Sequence, residues 1–150
     1  MPIPPKLLSE LIFFFDYDFP LEQIDEIVGL KATESKRFSQ TRINPITKIH
    51  NSGYWLLQTE TISSYNIGSL LQIIEDLLSK FSSGWNQIIQ QYRPSCFMLR
   101  IRILVQQEDE FPGIRFEPEF LQYLSLFNIT IDIEIENDLN LYRIAETDQS

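Results

Sequence analysis

The longest run with strand periodicity lies at residues 95–105, SCFMLRIRILV. Successive side chains of a strand point to opposite sides. Phe97, Leu99, Ile101, Ile103 and Val105 therefore share one face, and Cys96, Met98, Arg100, Arg102 and Leu104 share the other. One face is wholly apolar and the other mixed. This predicts a central strand with a helical layer on one side and a partly wet surface on the other.

Two further strands flank this one in the pattern. Residues 10–16 read as a strand with Leu11, Phe13 and Phe15 on one side and Ile12 and Phe14 on the other, which places it inside the sheet. Residues 130–136 alternate cleanly: Ile131, Ile133 and Ile135 face one way, and Thr130, Asp132, Glu134 and Glu136 the other. A fourth strand is expected at 54–60, after the Ser52-Gly53 turn, and a short fifth at 37–42.

Helical spacing appears between them. Leu21, Ile24, Ile27 and Val28 share a helical face, with Asp18 as the candidate cap, Pro20 near the first turn and Gly29 as the stop. Ile67, Leu70, Leu71, Ile74, Leu77, Leu78 and Phe81 hold the i, i+3, i+4, i+7 pattern over four turns, with Asn66 as the candidate N-cap. Ser82-Ser83-Gly84 interrupts, and Trp85, Ile88, Ile89 and Tyr92 begin another helix that Pro94 terminates. The last helix spans 118–127, with Pro118 at its first position, Leu121, Leu124 and Phe127 facing inward, and Asn128 in the left-handed closing position. The order β-α-β-β-α-(α)-β-α-β predicts one α+β domain with its core at about residues 9–136. Its sheet is expected to be mostly antiparallel, of about five strands, with helices on one face.

Composition supports an ordered core. The 150 residues are 43% apolar and include eleven Phe, six Tyr and two Trp, too much apolar surface for a disordered chain. Trp55 and Trp85 sit in periodic apolar contexts and read as core anchors. The net charge of −9 disfavours nucleic acid and anionic membrane and favours a basic partner. No secretory signal and no run of membrane-spanning length is apparent. Cys96 is the single cysteine, so an intrachain disulfide is excluded. A buried thiol in a reducing compartment is expected.

Catalytic signatures are scarce. His50 is the one histidine and lies in a turn-rich stretch without a nucleophile motif. One Cys and one His make no zinc pattern, and the five glycines form no phosphate loop. No cofactor, no metal and no catalytic residue are expected.

Charge is distributed unevenly. From residue 108 onward there are eleven acids and two arginines. Asp132, Glu134 and Glu136 form a row on one strand face, and Glu108, Asp109 and Glu110 form a run before it. Such a row is a solvated face, an internally paired face or a docking face for a basic protein. If strands 95–105 and 130–136 are neighbours, Arg100 and Arg102 lie opposite the acids. The opposite bias occurs at 31–48, where Lys31, Lys36, Arg37, Arg42 and Lys48 face a single acid, Glu34. That segment reads as an exposed loop or edge hairpin.

Three blocks then carry a family resemblance. They are FPLEQIDEIVGLKAT from Phe19, Tyr54-Trp55 with Leu57, and PGIRFEPEFLQYL from Pro112, followed by the last strand. In this order they resemble the bacterial domain-of-unknown-function 4279 family over most of the chain. The resemblance implies a small cytoplasmic α+β protein without established catalytic residues. Some similar proteins act as immunity proteins encoded beside toxins. The leading expectation is a non-catalytic inhibitor that binds a basic toxin domain. Its interface would use Glu108, Asp109, Glu110, Asp132, Glu134 and Glu136. The alternative is a small-molecule or peptide-binding module with its pocket near Trp55 and Trp85. The pattern leaves the oligomeric state open.

Overall fold

Strand β1, Lys6–Phe15, begins directly after Pro5 and runs through ten residues, nearly all of them buried. It is the middle of the sheet. The computed structural model describes residues 4–38, 53–106 and 112–137, and all structural statements concern these. Their sheet has six strands in the order β2-β3-β1-β5-β6, with β4 also on β1. The others are β2 at Glu34–Lys36, β3 at Gly53–Gln58, β4 at Ile62–Ser63, β5 at Cys96–Val105 and β6 at Thr130–Asn137. All pairings are antiparallel except β5 with β6, which is parallel. A parallel neighbour needs a crossover, and helix α4, Pro118–Leu126, lies between these two strands in the chain.

Three further helices complete the chain order: α1 at Glu22–Val28, α2 at Gly68–Lys80 and α3 at Ser82–Gln87, which runs into a π-helical turn at Ile88–Tyr92. The expected α+β domain is therefore present, with one strand more than expected. The strand at 95–105 is interior, but β1 rather than β5 occupies the centre.

The helices cover one face. Leu7, Leu11, Phe13 and Phe15 of β1 and Phe97, Leu99, Ile101, Ile103 and Val105 of β5 join the buried residues of all four helices in one cluster. Its centre is aromatic. Phe13 stacks on Phe97 with centroids 4.2 Å apart, and Trp55 and Trp85 lie 6.0 and 5.9 Å from Phe13. Both indole N–H groups are satisfied, Trp85 donating to the Leu77 carbonyl at 3.1 Å and Trp55 to Asp25 Oδ1 at 2.7 Å. Buried indoles require such partners. Asp25 Oδ1 also accepts the Ala32 amide at 3.1 Å, so one carboxylate ties α1, the following loop and β3 together.

Two glycines are fixed by geometry. Gly29 closes α1 at φ 88°, a conformation that carries no Cβ penalty only for glycine. At Gly84, an added Cβ would stand 2.7 Å from Val28 Cα and 2.8 Å from the Ile27 carbonyl oxygen. Ser82-Ser83-Gly84, expected to interrupt the helices, instead forms the first turn of α3, and its glycine lets α3 approach the backbone of α1.

Several local expectations are corrected. Asp18 does not cap α1; it pairs with Arg37 at 3.0 Å, and the cap position is Leu21, without a side-chain bond. Asn66 does act at the start of α2, its Oδ1 accepting the Gly68 amide at 2.9 Å. A short strand lies at Glu34–Lys36; of the expected 37–42, Arg37 and Phe38 are in no strand, and residues 39–42 are outside the described residues. In α4, Leu121 is 43% exposed and Phe120 is buried in its place. Both Phe120 and Leu121 fit helical spacing to Leu124, and packing selects the aromatic ring. Ile131 and Ile133 pack against the core, but Ile135 near the end of the edge strand is 53% exposed.

Candidate functional site

The second face of the sheet has a different chemistry. Alternation sends Lys6, Leu8, Glu10, Ile12 and Phe14 of β1 to the side away from the helical cluster. Register then places Arg102 beside Leu8, Arg100 beside Glu10 and Met98 beside Ile12 on β5. On the far side of β5, Asp132 stands beside Arg100, Glu134 beside Arg102 and Glu136 beside Leu104. From β3, Leu56 and Tyr54 lie beside Ile12 and Phe14, and Glu34 of β2 lies beside Leu56.

The predicted acidic row therefore meets the arginines. Arg100 Nε lies 3.1 Å from Asp132 Oδ2 and 3.4 Å from Glu134 Oε1. Arg102 passes over its register partner and grips Glu136 with both Nε and Nη2, at 2.9 to 3.2 Å. Arginine's planar fork suits such two-pronged contact. The hydrogen bond to Glu136 holds Arg102 yet more firmly protonated.

Glu10 is the outlier. It is 6% exposed, and its Oε1 is buried without a hydrogen-bond partner. Among the described residues, the cation paired with it is Arg100, whose Nη1 is 3.8 Å away, beyond hydrogen-bonding range. Burial pushes the Glu10 carboxyl above its ordinary range. Arg102 and then Arg100 pull it down, while Glu134 and Glu34 push it up further. A buried carboxylate with an unmet oxygen is costly, so this position invites a ligand or a role.

Glu10 lines a pocket of about 300 Å³ on this face. Ile12, Phe14, Tyr54 and Leu56 supply its apolar wall, and Glu34, Arg100, Arg102, Glu134 and Glu136 supply the charge. The Tyr54 hydroxyl donates to Glu34 Oε1, and this bond, followed by burial, raises the Tyr54 pKa. Four carboxylates against two guanidiniums leave two negative charges in excess when all are ionised.

Of the residues expected from sequence, Asp132, Glu134 and Glu136 share this face; Glu108, Asp109, Glu110 and His50 are outside the described residues. Trp55 and Trp85 are fully buried core anchors, and the pocket just described lies on the opposite face from them. Glu10 and Glu34 are additions from the fold. Glu10 reads in sequence as the polar start of a strand, whereas the strand begins four residues earlier. Its signal was a lone carboxylate in phase with Ile12 and Phe14. No group of His, Cys, Asp and Glu among the described residues could hold a metal ion, and none of their helices is long and apolar enough to cross a membrane.

A family model described as a domain of unknown function, DUF4279, matches residues 9–138. That span runs from the strand bearing Glu10 to the end of the strand bearing the acidic row. No curated protein and no solved structure matches the chain.

Proposed function

The chain belongs to the DUF4279 family, and we propose that it acts there as a non-catalytic binding protein whose sheet face opposite the helical layer docks on a basic protein. The observation that carries this reading is the excess of carboxylates around a concave, partly apolar site on that face. Arg100 and Arg102 order the row without neutralising it, so the acids are held in place before a partner arrives. Preordered acidic surfaces speed association with cationic proteins and set orientation. In its most specific form the partner is a toxin domain and the chain its cytoplasmic immunity protein, as the resemblance of its motifs implies.

The test compares tagged wild type with the Asp132→Ala, Glu134→Ala, Glu136→Ala triple variant as bait in the native bacterial lysate, after thermal melts confirm that both are folded. A basic protein retained by the wild type is then purified and its association rate measured across salt. The expected result is slower association for the variant and a flatter salt dependence. Association equal for both chains at every salt concentration would remove this face as the interface.

A further inference from the structure

We infer that the pocket over Glu10 is a socket for one arginine side chain of the partner, with the guanidinium set against the unmet Glu10 oxygen. The inference rests on the docking reading and names the chemistry at its centre. Three observations carry it. The first is Glu10 Oε1, buried in the sheet face with no hydrogen-bond partner. The second is the charge of the walls, where Glu34 and Glu134 join Glu10 around the pocket. The third is the shape and polarity of the remaining wall, formed by Phe14, Tyr54, Ile12 and Leu56.

These features select among cations. A guanidinium is planar, weakly hydrated, and able to stack on an aromatic ring while its edge meets a carboxylate. An ammonium is compact and strongly hydrated, and gains less from an apolar wall. The arginine stem buries its methylenes along such surfaces, and Ile12 and Leu56 provide one. The two resident arginines do not fill the role. Arg102 is committed to Glu136, and Arg100 to Asp132 and Glu134, with its Nη1 reaching no closer to Glu10 Oε1 than an ion-pair distance of 3.8 Å. Neither hydrogen-bonds to Glu10 Oε1. An incoming guanidinium would supply the missing donor and offset the surplus negative charge.

The experiment is an amide chemical-shift titration of the whole chain with N-acetyl-arginine amide. N-acetyl-citrulline amide serves as the neutral isostere, N-acetyl-lysine amide as the ammonium and N-acetyl-aspartate amide as the anion. The expected result is saturable shifts centred on Glu10, Ile12 and Leu56 with the arginine compound. Affinity should fall about tenfold or more for citrulline, because a charge-assisted hydrogen bond is lost, and clearly for lysine. Glu10→Gln should abolish the difference between arginine and citrulline, while the variant melts no lower than the wild type and its spectrum away from the pocket is unchanged. Binding of the aspartate compound in preference, equal binding of arginine and citrulline, or shifts located elsewhere would each overturn the socket. The docking reading fails separately. A basic partner sensitive to the Asp132, Glu134, Glu136 triple variant but indifferent to Glu10→Gln leaves the face and removes the socket. Arginine binding with no partner that senses the face leaves a socket for a free guanidinium compound and removes the docking face.

Discussion

Phe13 and Phe14 are neighbours in one strand, and they belong to two different surfaces. Phe13 enters a closed layer in which Phe97, Trp55 and Trp85 surround it and both indole donors are met. Phe14 helps line a pocket whose other walls carry six ionisable side chains besides Tyr54. The helical face is resolved internally, since its apolar groups are packed and its polar groups paired. The other face is resolved incompletely, because its ion pairs satisfy two arginines and leave one buried carboxylate oxygen without a donor. Unmet polar demand of this kind costs stability, and in the proposed reading it is what a partner's donor would meet.

The largest effect expected from this contrast is in the two phenylalanines. Phe13→Ala removes a ring at the centre of the aromatic layer and should cost about 3–5 kcal/mol in denaturant unfolding. Phe14→Ala removes a ring that is only partly buried. It should cost at most about 1.5–3 kcal/mol, the range for a ring fully withdrawn from water. Equal losses would mean that the second face is as closed as the first.

The contact between α1 and α3 tests the closed side further. Gly84→Ala places a methyl against the backbone of Val28 and Ile27. Backbone cannot swing aside as a side-chain tip can, so the helices must separate. The expected destabilisation is about 1–3 kcal/mol, read from chemical unfolding with an unchanged slope. A neutral or stabilising alanine would show that α3 has room to shift.

Sequence periodicity made one of these faces readable and the other only partly so. Alternation in residues 95–105 and 130–136 predicts which side chains share a face, and β5 and β6 follow it. The pairing of Arg100 and Arg102 with the acidic row also followed, once the two strands were taken as neighbours. Alternation does not say which strands adjoin, and Glu10 and Glu34 enter the site only through strand order. Glu34 and the acidic row come from opposite sides of β1 in the order β2-β3-β1-β5-β6 and meet only at the pocket over Glu10. Glu10 was hidden for another reason: a carboxylate at the head of an apolar run is normally a strand terminus, and burial of one inside a sheet is rare. In α4, Phe120 and Leu121 are equally in phase with Leu124, so packing alone decided between them. Strand β4 is two residues long, too short for any periodicity to register.

The Glu10 carboxylate yields the next prediction, smaller than either core substitution and opposite in sign. Its pKa is raised in the folded chain from the ordinary 4.5, so the folded state holds the proton more tightly than the unfolded one. The groups facing it are Arg100 and Arg102 from β5, Glu134 from β6 and Glu34 from β2. Stability from this group is full below the unfolded value and is lost as pH rises through the folded one. Glu10→Gln should therefore melt with the wild type at acid pH and above it at neutral pH. A variant less stable than wild type at neutral pH would mean that the two arginines outweigh the burial.

The smallest effect concerns how firmly the acidic row is held. Arg102 and Glu136 share a two-pronged contact, but both side chains are partly exposed, so water and salt screen them. A double-mutant cycle of Arg102→Met and Glu136→Gln should give a coupling of about 0.2–1 kcal/mol, shrinking when salt is raised to about 0.5 M. The size of that coupling bears on the whole contrast between the faces. A weak, salt-sensitive pair leaves Glu136 able to turn toward a cationic partner at little cost, and the row serves as a docking surface already in place. A coupling well above this range would tie Glu136 to Arg102 as firmly as the helical face is tied to itself. Recognition would then fall to Glu10 and Glu34, and removing the outer acids would change association rate more than complex lifetime.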